Sequence, residues 1–116
     1  DNEYYTYTQE NWNHILAEVH PTVKKQLPTY LEEISDCDEY ADAMRLAVKF
    51  AFIEAGKQRP PAFGGCSGRT ETGGAHAFCF YVLKSKQIMI FEPQSGETVG
   101  ELGTLDKPYD PYYMEI

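Results

Sequence analysis

The chain has 116 residues, 42% hydrophobic and 24% charged, which suits one domain whose modest core needs no disulfide staples. A formal net charge of −8 with no basic run excludes a nucleic-acid partner, because neutralising phosphates takes clustered Lys and Arg. No apolar run approaches the roughly 18 residues that span a bilayer and no segment reads as a signal peptide, so no membrane partner is expected.

Three cysteines cannot complete a disulfide framework, and they read as thiols in a reducing, cytoplasmic compartment. The first residue is Asp1 rather than Met, which fits a fragment or a processed chain. Residues 1–35 read as an N-terminal helical segment, 36–105 as the core that would carry chemistry, and 106–116 as an acidic Tyr/Pro-rich tail.

Thr8 can cap a first helix to about Val19, with Trp12, Ile15, Leu16 and Val19 on one face, ended by His20-Pro21. His14 and His20 then fall on the surface. Residues 21–35 hold two prolines and a short Tyr30–Ile34 piece, one helical turn or a loop. The strongest helix runs from about Asp38 to Ala55, its apolar positions Cys37, Ala41, Met44, Ala47, Val48, Ala51 and Ala55 following the helical period.

Residues 56–74 read as a long loop, with Gly64-Gly65-Cys66-Ser67-Gly68 a flexible flap beside a cleft. That flap lacks the Gly-Lys-Ser/Thr ending of a phosphate loop. Two strands follow, Ala75 to Leu83 and Gln87 to Phe91, joined by Lys84-Ser85-Lys86 as a hairpin. The tail is either draped over the body or loose. Helices first and strands after give an α+β class, N-terminal helices packed on a small antiparallel sheet.

Cysteine, histidine and carboxylate in that order suggest a nucleophile, a base and an orienting group. Cys37 stands at the start of the long helix, whose unpaired N–H groups could lower a thiol pKa and hold an oxyanion. Asp36 and Asp38 flank it and act in the opposite sense. His76 shares a strand face with Phe78 and Phe80, while Ala77, Cys79 and Tyr81 face the other way. Hairpin pairing gives residue sums near 170, which makes Glu92 and Gln94 the same-face candidates to hold the His76 imidazole. A zinc site from Cys37, Cys66, His76 and Cys79 is disfavoured, because His76 and Cys79 point to opposite faces.

Asp36-Cys37-Asp38-Glu39-Tyr40-Ala41, Ala75-His76-Ala77 and Phe91-Glu92-Pro93-Gln94 together resemble a known pattern. It is that of the papain-like C-terminal domain of the Marasmius-type mushroom agglutinins and of small papain-like domains in phage proteins. The resemblance spans roughly residues 30–100. It implies a papain-like cysteine-protease fold with Cys37 as nucleophile, His76 as base and Glu92 as third member. It also implies calcium-dependent protease activity, for which Asp36 and Asp38 would be the metal carboxylates. No other cofactor is expected. A phage origin would place the protein in a host cytoplasm.

The chain departs from the pattern in two ways. The sugar-binding β-trefoil of those agglutinins is absent, so the resemblance brings no carbohydrate function. The oxyanion glutamine of papain-type proteases is replaced by Leu31, leaving Gln94 as a substitute donor. The expectation is a cysteine hydrolase acting on a peptide or protein substrate. Two alternatives stand beside it, a catalytically silent papain-like binding or dimerisation module and a transglutaminase-like acyl transferase.

Overall fold

The computed structural model describes residues 4–27 and 36–116. The Tyr30–Ile34 piece and Leu31 lie outside them. Helix α1 spans Gln9–Gln26 and starts where Thr8 accepts a hydrogen bond from the Asn11 N–H at 3.2 Å. It does not end at His20 but runs through Pro21, which cannot donate to the preceding turn, a defect of about 3 kcal/mol in a helix interior. Tertiary burial offsets that cost. Val23 is fully buried one turn beyond Val19, and the Tyr40 hydroxyl donates to the Leu27 carbonyl.

Helix α2 spans Cys37–Glu54. Asp36 is its N-cap in a capping box: its carboxylate accepts from the Asp38 N–H, and the Glu39 carboxylate accepts from the Asp36 N–H. The buried stripe is Tyr40, Ala41, Met44, Val48 and Phe52.

Five strands form one antiparallel sheet: β1 Phe63–Arg69, β2 Ala75–Val82, β3 Ile88–Glu92, β4 Glu97–Glu101 and β5 Pro111–Glu115, in the order β4-β3-β2-β1-β5. The hairpin register is the expected one, with Cys79 opposite Phe91 and Val82 opposite Ile88. The glycine-rich flap is corrected to a buried strand, β1, between β2 and β5. Its glycines hid the strand signal while making the packing feasible. A Cβ on Gly64 would lie 2.2 Å from the Glu115 carbonyl oxygen, and one on Gly68 would lie 1.8 Å from that of Pro108. The tail is draped rather than loose, and its end is the edge strand β5.

The sheet separates two apolar clusters. One holds Trp12, Leu16, Met44 and Val48 of the helices with Ala77, Cys79 and Tyr81 of β2. The other, on the far face, holds Cys66, Phe78, Phe80 and Ile90, with Leu105, Tyr109 and Met114 of the tail against it. Two helices on one face of a five-stranded antiparallel sheet make an α+β fold.

Candidate functional site

Glu92 organises the polar site, at the end of β3 with its side chain only 10% exposed. Oε1 lies 2.6 Å from His76 Nε2 and accepts from the Tyr109 hydroxyl at 2.7 Å, while Oε2 accepts from the Gln94 N–H at 3.0 Å. Burial is the largest influence on this carboxyl and would raise its pKa. The bonds from His76, Tyr109 and Gln94 together outweigh burial and hold it below the usual carboxylate range. Of the two candidates to hold His76, Glu92 does so, and Gln94 contributes its backbone N–H.

The His76 ring stacks on Phe78 at 5.8 Å and meets the edge of Tyr109 at 5.5 Å. Tyr109 was not legible as a site residue, because nothing in a Pro/Tyr-rich tail marks which tyrosine returns to the sheet. Burial, followed by the bond to Glu92, raises its hydroxyl pKa, so it remains a donor. His20 was also misread. It is half-buried, with Nε2 2.7 Å from the Pro93 carbonyl oxygen, and it tethers α1 to the turn that carries Glu92.

Cys37 is the first residue of α2, as expected, and packs against the helix-side cluster. Its sulfur accepts from the Ala77 N–H at 3.4 Å. His76 lies beside it in sequence along β2, but its ring belongs with Phe78 and Tyr109 on the other face. Among the described residues no hydrogen bond joins the Cys37 sulfur to the His76 imidazole. Burial raises the thiol pKa, with Asp38 and Asp36 adding to it and the Ala77 N–H only partly opposing it. Burial is thus the main reason that the thiol pKa lies above its ordinary value, and the flanking carboxylates add to it.

Asp36 is engaged in the cap of α2, and among the described residues no group of three or more His, Cys, Asp or Glu could hold a metal ion. Cys66 and Cys79 are buried in opposite clusters, and burial pushes the Cys66 thiol up to about 12.

No protein-family model matches the sequence, nor does any curated protein. Solved structures do. A lectin from Polyporus squamosus, bound to the human-type influenza-binding epitope Neu5Acα2-6Galβ1-4GlcNAc, is similar over 96% of this chain, with a TM-score of 0.75 and 22% identity. A structure described as the PSL1a–E64 complex is similar over 82% of this chain, with a TM-score of 0.69 and 23% identity. The chain spans 38% and 34% of the length of those two.

These findings correct the expected function. The sequence pattern led to a cysteine hydrolase built on Cys37, His76 and Glu92, with acyl transfer as a variant. The structures that share this fold include a lectin, and no hydrogen bond joins the Cys37 thiol to the His76 imidazole among the described residues. The expected peptide or protein substrate is corrected with it, since the Polyporus neighbour carries a carbohydrate epitope. The physical reason is the strand period. Consecutive residues of β2 point to opposite faces, so the residue that meets Cys37 is Ala77, not His76.

Proposed function

We propose that this chain is a non-catalytic binding module of papain-like architecture, a building block of a lectin-type protein like the agglutinins its motifs resemble. Lectin structures sharing the fold support this reading, and so does a Cys-His-Glu set that serves as structure. Glu92 ties β3, β2 and the tail together through His76 and Tyr109. Cys37 fills the join between α2 and β2.

The observation that carries the reading is the Cys37 sulfur lodged on the helix side of β2, where it accepts from the Ala77 N–H, while the His76 imidazole is held by Glu92 and stacks on Phe78 on the other face. A nucleophile must be thiolate and adjacent to its base. Alkylation with iodoacetamide, followed by peptide mass mapping from pH 5 to 10, tests this. Cys37 is expected to react slowly near neutral pH, with a rate still climbing above pH 9 and unchanged in His76→Ala. A rate that plateaus below pH 7 and drops in His76→Ala would overturn the reading.

A further inference from the structure

Resting on the binding-module reading and naming a ligand class for it, we infer that the hollow beside the C-terminal end of α2 is a site for a small carboxylate-bearing sugar. The hollow measures about 280 Å³ and is walled by the last turns of α2 and by residues 57–61. Small-molecule sites run from roughly 300 to 1,000 Å³, so this one suits a single ring rather than a chain of them.

The end of the helix sets its cations in place. Gly56, at a φ of 75°, donates its N–H to the Ile53 carbonyl, and the Lys57 N–H reaches the Phe52 carbonyl, both at 3.0 Å. Together they form a Schellman motif, which turns the chain sharply out of α2. The Tyr5 N–H then bonds to the Pro60 carbonyl at 2.9 Å and brings the tyrosine ring beneath the segment. The Arg59 guanidinium carbon lies 4.5 Å from the centre of that ring and Lys57 Nζ lies 5.4 Å from it, so one aromatic face holds two cations. Lys49 adds a third from α2, and no Asp or Glu is among the described residues of the lining. Three of the chain's ten basic residues thus share one small hollow, in a protein with eighteen acidic ones.

Each requirement of a sugar carboxylate is met by a different wall. The planar fork of Arg59 matches a carboxylate, and the two lysines add point charges. Ile53, Pro60 and Pro61 give an aliphatic surface for the C–H face of a ring, and the Gln58 amide can both donate to and accept from a hydroxyl. Overall charge selects a small ligand over a polymer. A polyanion reaching beyond the hollow meets a protein of net charge −8, and the groove on the α1 side of α2 bears Glu18 and Glu54 without a Lys or Arg. A single carboxylate among three cations is screened from that surface over a Debye length of about 8 Å at physiological ionic strength. The helix dipole also favours cations at this end of α2, but it calls for neither the apolar wall nor the amide.

The test is an amide chemical-shift titration of the chain with glucuronate, glucose, inorganic sulfate and heparin in turn. Glucuronate is expected to shift the amides of residues 49–59 and to bind at least about tenfold more tightly than glucose or sulfate. Lys57→Gln and Arg59→Gln are each expected to weaken it at least about tenfold. Lys84→Gln, exposed on the hairpin turn, is expected to leave it unchanged, and Trp12 fluorescence checks that every variant is folded. Glucose or sulfate equalling glucuronate overturns the inference, as does equal weakening by Lys84→Gln. Heparin outcompeting glucuronate overturns the choice of a small ligand. Unmoved amides leave the cations serving only the helix end, and that also overturns it. Any of these results with an unreactive Cys37 leaves the binding-module reading standing, whereas a His76-dependent reactive thiol removes that reading whatever the sugar does.

Discussion

Tyr109→Phe isolates one hydrogen bond at the site. The phenyl ring keeps its edge contacts with His76 at 5.5 Å and Phe78 at 5.2 Å, and only the hydroxyl that donates to Glu92 is lost. A hydrogen bond to a charged group contributes about 1.5–3 kcal/mol. His76 still donates to the same oxygen, so the lower end applies, about 1.5 kcal/mol. For a domain of this size that is a fall of about 4–9 °C in Tm.

The sign of the pH dependence follows from Glu92, whose pKa is lowered in the fold. Its contribution is fully present above the ordinary carboxylate pKa and is lost as the pH falls through the lowered value. The Tyr109→Phe deficit is therefore constant from pH 7 to 5 and shrinks on further acidification. Urea unfolding followed by fluorescence of Trp12, the single and fully buried tryptophan, measures it. The variant Glu92→Gln closes a double-mutant cycle. A deficit below about 0.5 kcal/mol at pH 7, or one that does not shrink at any stage of acidification, would refute the assignment of Tyr109 as a donor to an ionised Glu92.

Asp36→Ala removes the N-cap of α2 and a negative charge beside Cys37. It is expected to cost about 1 kcal/mol in urea unfolding and to accelerate Cys37 alkylation at pH 7.5. Gly68→Ala forces a Cβ to within 1.8 Å of the Pro108 carbonyl oxygen and is expected to detach β5. Amide exchange across the β1–β5 ladder should rise sharply and stability should drop by about 2–3 kcal/mol, as overpacking a core typically does. Gly73→Ala, with no atom within 4 Å of the new Cβ, is expected to cost only about 1–2 kcal/mol for its positive φ. His20→Ala leaves the Pro93 carbonyl without its imidazole partner. Faster exchange of the Gly96 N–H, which bonds to the Glu92 carbonyl at 2.8 Å, would show the turn loosening, and an unchanged rate would show that the tether is idle.

Local chemistry was legible in residues 8–19 and 36–56, because capping and the apolar period depend on near neighbours. Thr8 and Asp36 cap their helices as their side chains allow, and the buried stripes follow the helical spacing. The β2–β3 hairpin register was likewise readable, since a short turn sets which residues face each other. Pro21 misled because its local penalty is outweighed by Val23, whose burial depends on elements far along the chain. The glycine-rich strand misled for the converse reason: Gly64 and Gly68 are selected by the carbonyl groups of Glu115 and Pro108, far along the chain, which no local pattern registers.

By itself the sequence determined the α+β class, the capped starts of its two helices, its central hairpin and the two candidates, Glu92 and Gln94, to hold His76. Only the tertiary structure decided that Cys37 meets Ala77 rather than the imidazole, and that the tail supplies Tyr109 to Glu92. Residue order specifies which groups are available. Which of them meet depends on the face each strand position turns toward, and on distant segments approaching closely enough to complete a hydrogen bond.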